Sequence, residues 1–240
     1  MLKFVKILLD WLYPRDCLSC QTRLTKNSSL QYLCQPCAHK IEWVHSPHCK
    51  TCGYPFYGDV SGERVCPKCV ELDPVFSNGK TAFLLRGTGR KIIHELKYHR
   101  GLYLERDLSA LLSQQTEFIN FINNAVLVPV PIHAKKERKR GFNQSLFIAN
   151  VLANAAQNTK VMELLQRTKN TKTQTRMNRQ ERLKNVRKAF ALNKNKSLDP
   201  DVRYIIIDDV FTTGSTTNTC AHILKKHGAK HIDILTIGHG

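Results

Sequence analysis

From the Ser77-Asn-Gly turn onward, the apolar positions switch between the period of a strand and the period of a helix. Lys80–Leu85 reads as a strand, and Ile92, Ile93 and Leu96 share one face of a helix that Thr88 can cap. A second helical stretch carries Leu104, Leu108, Leu111 and Leu112. Ala125–Pro131 is a compact apolar strand. It leads to an amphipathic helix over Asn143–Asn154, capped by Asn143, with Leu146, Ile148, Ala149, Leu152 and Ala153 on its apolar face. Val161–Leu165, Arg187–Leu192, Arg203–Asp208 and Ile232–Ile237 read as further strands, and Ser215–His227 as a helix ended by Gly228. Strands alternating with helices predict a parallel sheet covered by helices on both faces. Ligands of such sheets sit beyond the carboxyl ends of the strands. Pro74 and Ser77-Asn-Gly divide the chain into a small segment, 1–74, and this α/β domain, 75–240.

The stretch Tyr204-Ile-Ile-Ile-Asp-Asp-Val-Phe-Thr-Thr-Gly-Ser-Thr216 carries the most chemistry. A buried strand ends in Asp208 and Asp209, a loop of hydroxyl residues and one glycine follows, and a helix begins. Loop N–H groups and the positive helix end favour an anion. Gly214 allows close approach and φ > 0, while Thr212, Thr213, Ser215 and Thr216 add hydroxyl donors. Asp208 and Asp209 are suited to accept from the two hydroxyls of a ribose. The stretch resembles the fingerprint of the type I phosphoribosyltransferases. The resemblance implies that the acid pair holds the ribose of phosphoribosyl pyrophosphate, as the catalytic carboxylates, and that the Thr-Thr-Gly loop holds its 5-phosphate.

Eight of the nine cysteines form four Cys-x-x-Cys pairs: Cys17/Cys20, Cys34/Cys37, Cys49/Cys52 and Cys66/Cys69. The first two pairs recur 32 residues later, an internal repeat. Two residues between cysteines bring both thiolates to one tetrahedral metal ion, so eight ligands suffice for two closed, structural zinc sites. The repeat favours tandem ribbons over a cross-braced arrangement. A disulfide framework would require an oxidising compartment, and no secretory signal is recognisable. Phe4, Ile7, Leu8, Trp11 and Leu12 instead line one face of a short helix. No apolar run approaches the ~18 residues of a membrane span. Cys220 reads as a small core residue.

The formal net charge of +18 is unevenly spread: residues 135–196 hold 17 Lys+Arg against 3 Asp+Glu. Such density predicts attraction to a polyanion or a phosphate-rich ligand. Two segments would bring it to the loop's edge of the sheet. In the first, His133, Lys135, Lys136 and Arg140 are placed to meet a diphosphate. The second runs from Thr171 to Phe190 without hydrophobic period. Lys172, Arg176, Arg179, Arg182 and Lys184 there, with Lys139 and Arg140, would lie along a nucleic-acid backbone or close over a phosphate ester. Tyr98, Tyr103 and Phe142 are the aromatic residues available to stack on bases.

The run Arg140-Gly-Phe-Asn-Gln, the segment with Thr173-Gln174, Arg182, Asn185 and Ala189-Phe190, and the terminal Asp-Asp-Val-Phe-Thr-Thr-Gly together resemble the ComF family of competence proteins. The resemblance implies a zinc finger joined to a phosphoribosyltransferase-like domain. It further implies a cytoplasmic role in natural transformation, handling single-stranded DNA with helicase and recombination-mediator partners. Some relatives carry one cysteine quartet, so the second is the departure. An active phosphoribosyltransferase, with magnesium bridging the diphosphate and an unnamed acceptor, is the enzyme alternative. A ligand-sensing adaptor, in which phosphoribosyl pyrophosphate tunes DNA or partner affinity, is the third.

Overall fold

Five strands form one parallel sheet in the order β1-β7-β6-β2-β3. They are β1 (Gly79–Leu84), β2 (Val126–Pro129), β3 (Lys160–Val161), β6 (Arg203–Phe211) and β7 (His231–His239). A separate antiparallel pair joins β4 (Leu165–Arg167) to β5 (Phe190–Leu192). The computed structural model describes residues 15–25, 28–58, 60–168, 189–194 and 196–240. The N-terminal face of Phe4, Ile7, Leu8, Trp11 and Leu12 lies outside the described residues. So do Lys172, Thr173, Gln174, Arg176, Arg179, Arg182, Lys184 and Asn185.

The two faces of β6 explain the layers. Ile205 and Ile207 alternate with Tyr204 and Ile206, and the two sets enter different cores. The first core packs α3 (Gly87–Tyr98), α4 (Glu105–Ser113), α5 (Thr116–Ile122) and α7 (Gln144–Ala155) through residues such as Leu96, Leu112, Ile122 and Leu152. Burying each such side chain contributes about 1.5–3 kcal/mol. The second core receives α8 (Ser215–Lys226) through Cys220, Ala221 and Leu224, as well as the β4–β5 pair. Cys220 is fully buried, as a small core residue should be.

The two cysteine units split between these cores. Cys17, Leu30, Leu33 and Cys37 of the first join the α3/α4/α7 side, and Cys49, Cys52, Cys66 and Cys69 join the α8 side. Between the units, residues 42–44 run antiparallel to the free edge of β1, with Val44 N–H donating to Ala82 O at 2.8 Å and Leu84 N–H to Glu42 O at 2.9 Å. That pairing covers an edge that would otherwise expose unpaired backbone groups.

Three elements differ from the sequence reading. Helix α3 opens at Gly87, and Thr88 does not cap it; the Thr88 hydroxyl lies 3.1 Å from that of Ser19 instead. The stretch expected as one strand over 161–165 is divided, because β3 ends at the sheet edge and the chain leaves to build β4. The cationic stretch after His133 forms α6 (Ala134–Arg140). Its Lys, Arg and Glu residues are good helix formers, but without apolar residues they leave no periodic signal. Asn143 does cap α7, its Oδ1 accepting from Ser145 N–H at 3.0 Å.

Candidate functional site

The carboxyl ends of β6 and β7 and the N-termini of α7 and α8 meet at one edge of the sheet. Asp208 and Asp209 are consecutive on a strand, so their side chains leave on opposite faces. Asp208 lines a small open cleft with Val210, Phe211 and Thr212–Thr217. Its Oδ1 accepts from Ser145 Oγ at 3.0 Å and from Asp209 N–H at 2.9 Å. Burial, then the charge of Asp209, pushes its pKa up to about 7. Asp209 turns the other way and pairs with Lys97 Nζ at 3.2 Å, at the end of α3.

Beyond the acids, Thr212 and Thr213 are exposed and Gly214 caps α8 at φ +70°. Thr213 Oγ1 is 3.0 Å from Ser215 Oγ and accepts from Ser215 N–H at 3.4 Å. Thr217 Oγ1 donates back to Gly214 O at 3.0 Å. A twelve-residue helix thus opens into the cleft behind a glycine bend and a row of hydroxyls, an arrangement that favours an anion.

The basic α6 follows the carboxyl end of β2, at the same edge of the sheet. His133 is its N-cap, with Nδ1 accepting from Lys135 N–H at 3.1 Å. Burial first, then the charges of Arg167 and Arg140, depresses the pKa of Lys136. Arg167 on β4 is itself depressed by burial, while Asp208 pulls it back up. Lys136 thus faces the like charges of Arg167 and Arg140, and Arg167 the opposite charge of Asp208, so that an anion among the three cations would relieve their repulsion. Arg140 also donates to Gln144 Oε1, while the buried Gln144 Nε2 has no hydrogen-bond partner among the described residues.

Sequence reasoning singled out Gln144 only within the Arg140-Gly-Phe-Asn-Gln run and missed Lys97, Ser145 and Arg167. Lys97 directly follows the apolar face of α3 and Ser145 lies in the first turn of α7, so neither carries a local signal. Only the long-range pairing of β6 with its neighbours reveals what they meet.

The eight cysteines form two groups, Cys17/Cys20/Cys34/Cys37 and Cys49/Cys52/Cys66/Cys69, each with its sulfurs within 4.8 Å of one another. A tetrahedral zinc–thiolate site with bonds of about 2.3 Å sets its sulfurs about 3.8 Å apart. Cys20 and Cys34 Sγ are 3.6 Å apart, and Cys52 and Cys66 Sγ 3.8 Å, so the donor sets fit zinc. No disulfide links them. In the second group Cys52 and Cys69 share protons with Cys49, pushing their own pKa values up and Cys49 far down. That is the behaviour of thiols that cannot all ionise without a cation.

The units repeat in detail. Cys17 N–H donates to Thr22 O at 2.8 Å, and Cys49 N–H to Tyr54 O at 2.7 Å. Cys34 N–H donates to Cys17 Sγ, and Cys66 N–H to Cys49 Sγ. The left-handed knuckle position holds Gly53 at φ +74° in the second unit but Gln21 at φ +64° in the first.

The second unit also touches the hydroxyl-rich loop at Gly214. A Cβ on Gly214 would lie 2.5 Å from Leu72 Cδ2, at the end of α2 (Pro67–Leu72). Val75 N–H donates to Asn218 Oδ1 at 3.0 Å, and Thr81 Oγ1 to Cys52 O at 2.9 Å. His239 lies between the rings of Tyr54, at 4.9 Å, and Phe211, at 5.1 Å. Burial lowers its pKa to about 4, so it packs there as a neutral plate.

The chain therefore combines two Cys₄ units of zinc-ribbon type with a parallel α/β sheet whose carboxyl edge holds an acid pair and a hydroxyl-rich loop. Comparison with known proteins agrees: residues 8–70 match the double zinc ribbon domain family. The chain is similar to competence proteins. It is 25% identical to Competence protein F of Haemophilus influenzae, over 91% of this chain and 94% of that one. Competence protein ComFC of Bacillus subtilis is 22% identical, over 88% of this chain and 89% of its own. The DNA utilization protein YhgH of Escherichia coli K12 is 28% identical, over 78% and 81%. Among solved structures, a purine phosphoribosyltransferase from Pyrococcus horikoshii aligns with a TM-score of 0.30 at 14% identity, covering 57% of this chain and 83% of the other. Among the described residues, no helix is long and apolar enough to cross a membrane.

Proposed function

We propose that this protein acts in DNA uptake, gripping single-stranded DNA on its cationic surface while the junction at Asp208–Thr216 takes phosphoribosyl pyrophosphate. The names of the relatives, competence and DNA utilization proteins, support the process. The observation that carries the reading is that α6, which follows β2, and the acid-and-hydroxyl cleft, which follows the neighbouring parallel β6, lie at the same carboxyl edge of the sheet.

In this reading, Thr212, Thr213, Gly214, Ser215 and Thr216 hold the 5-phosphate. Asp208 orients the ribose, and Asp209 supports it through Lys97. His133, Lys135, Lys136 and Arg140 would meet the diphosphate, with magnesium, when bound, neutralising part of its charge. Lys139 and Arg140, with Lys172, Arg176, Arg179, Arg182 and Lys184, follow the DNA backbone. Helicase and recombination-mediator proteins in the cytoplasm are the partners that fit such a role.

Two measurements on the zinc-loaded chain test the reading. Calorimetry with phosphoribosyl pyrophosphate and magnesium should show one site, lost in Gly214→Ala. Affinity for an oligothymidylate should fall steeply as salt rises, because each neutralised phosphate releases counterions. No heat with the sugar phosphate overturns the pocket, and a flat salt response overturns the electrostatic grip.

Arg140 favours one refinement, because it serves both proposed ligands. If they share it, each should change the affinity of the other by the same factor. Titrating DNA with and without saturating phosphoribosyl pyrophosphate measures that factor, and equal affinities remove the link.

A further inference from the structure

The end of α3 carries an aromatic cluster that no core uses. Ile92, Ile93 and Leu96 turn inward, whereas Tyr98 is 66% exposed. His94, one turn earlier, sits with its ring 4.8 Å from that of Tyr98, and the His99 ring is 5.2 Å from His94. The Tyr98 hydroxyl makes no hydrogen bond among the described residues.

The other two rings considered for stacking are engaged. Tyr103 donates to Glu95 Oε1 at 2.6 Å and packs on Tyr32 with ring centroids 4.4 Å apart. Phe142 lies edge-on to Phe147 at 5.8 Å. Of the three rings that composition made available for stacking, Tyr98 alone presents an open face.

Cations flank it on the side toward α6. Arg100 holds a left-handed backbone at φ +54°. Its side chain runs so close to Gly141, the C-cap of α6, that a Cβ there would sit 3.6 Å from the guanidinium Nε. Arg138 and Lys139 are exposed in the last turn of α6, just before that glycine. Glu137 is the acid on that helix, and Glu95 is occupied by Tyr103. Lys97, one residue before Tyr98, is fixed to Asp209 at 3.2 Å. The ring cluster is thus held at a set distance from the anion cleft.

We propose that His94, Tyr98 and His99 form a stacking platform for the unpaired bases of a nucleic acid strand, with Arg100 and Lys139 holding the adjoining phosphates. The assignment rests on the single-stranded DNA reading above and names where the bases go. An exposed ring has affinity for any base, since every base offers a π face, while cations alone attract single and double strands alike. A base inside a duplex is already stacked on both sides and cannot use the ring. The platform therefore supplies preference for single strands that the charge does not.

The test uses fluorescence anisotropy on the zinc-loaded full chain, with labelled oligothymidylate, a fully abasic strand of equal length, and duplex. Tyr98→Ala should weaken oligothymidylate binding about tenfold or more. It should leave the slope of affinity against salt, and the affinity for abasic strand and duplex, unchanged. Tyr98→Trp should retain binding. Arg100→Ala with Lys139→Ala should instead shallow the salt slope for all three ligands. If wild-type protein binds oligothymidylate and Tyr98→Ala binds it equally, the platform falls and the DNA reading stands. If Tyr98→Ala loses abasic strand to the same degree, the loss is not stacking and the platform falls again. If the wild-type chain binds no strand at all, both readings fall together.

Discussion

Lys97 Nζ stands 3.2 Å from Asp209 Oδ1, and both side chains are largely withdrawn from solvent, at 24% and 13% exposure. The pair joins the end of α3 to the centre of the sheet at the edge where the cleft opens. Removing one partner of such a pair costs more than the pair contributes, because the survivor is left desolvated. Lys97→Ala should destabilise the fold by roughly 1–3 kcal/mol, discounted from a fully buried pair because Lys97 is partly solvated. The same ammonium pulls the pKa of Asp208 down, so its loss makes the ionised acid pair harder to hold. The deficit in urea melts should be larger at pH 8 than at pH 5. An equal deficit at both would mean that Lys97 acts by packing alone.

Asp208 titrates near 7 in the folded chain against 3.8 in its ordinary state, through burial first and the charge of Asp209 second. Its folded pKa is raised, so its contribution to stability is fully present below about pH 4 and is lost as the pH rises through 7. Wild-type stability should fall across that window. In Asp208→Asn the neutral amide can still accept from Ser145, and this part of the fall should vanish. The variant should gain over wild type by roughly 1–4 kcal/mol at pH 8 and by little at pH 4. Urea melts across pH measure it, and a gain independent of pH would point to a cause other than this carboxyl.

The anion loop and both cysteine units were legible because each is local. Gly214, the hydroxyls around it and the Cys-x-x-Cys spacing place their atoms within a few residues of one another. The 32-residue repeat even implied tandem pairing, which the structure bears out. Lys97, Ser145 and Arg167 were not legible, because each reaches Asp208 or Asp209 across a distant stretch of chain. The division of labour between the acids was hidden for a different reason. Two adjacent aspartates suggest a joint clamp, but strand alternation sends Asp208 into the cleft and Asp209 to Lys97. The second cysteine quartet, the departure from some relatives, finds its place only when Leu72 is seen against Gly214.

Gly214 has two reasons to be glycine. Its φ of +70° strains any other residue, and a Cβ would lie 2.5 Å from Leu72 Cδ2 and 2.6 Å from Phe211 Cζ. Left-handed strain alone costs about 1–2 kcal/mol. Gly214→Ala should lower stability by at least that much and displace the bend. Pairing it with Leu72→Ala should recover part of the loss, because the clash with Leu72 goes while the φ strain and the Phe211 contact stay. Differential scanning calorimetry on the single and double variants isolates the Leu72 share.

Asp107 is 1% exposed, and its two oxygens accept from Gln31 N–H at 2.6 Å and Tyr32 N–H at 2.7 Å. One carboxylate on α4 thus fixes the loop that leads into the first cysteine unit's second knuckle. Asp107→Ala would leave two main-chain donors without their acceptor, at a cost of roughly 2–4 kcal/mol for charge-assisted bonds in a buried place. Amide exchange should quicken at Gln31 and Tyr32 while β6 and β7 keep their protection. Unchanged exchange there would show that the unit is docked mainly by its apolar contacts.

The two metal units should fail differently. Zinc-thiolate units of this size fold with their metal, so Cys20→Ser and Cys52→Ser should each reduce bound zinc from two per chain to one. The first unit packs on the α3/α4 core, far along the chain from the loop. The second supplies Leu72 against Gly214, Val75 to Asn218 and Tyr54 against His239. Loosening it removes one wall of the anion loop, whereas loosening the first leaves that wall in place. Cys52→Ser should therefore weaken phosphate-ester binding at the cleft by tenfold or more, about 1.4 kcal/mol, with Cys20→Ser near wild type. Zinc stoichiometry and calorimetry on the same samples test this. Equal weakening by both substitutions would mean that the second unit supports the sheet as a whole rather than the bend at Gly214.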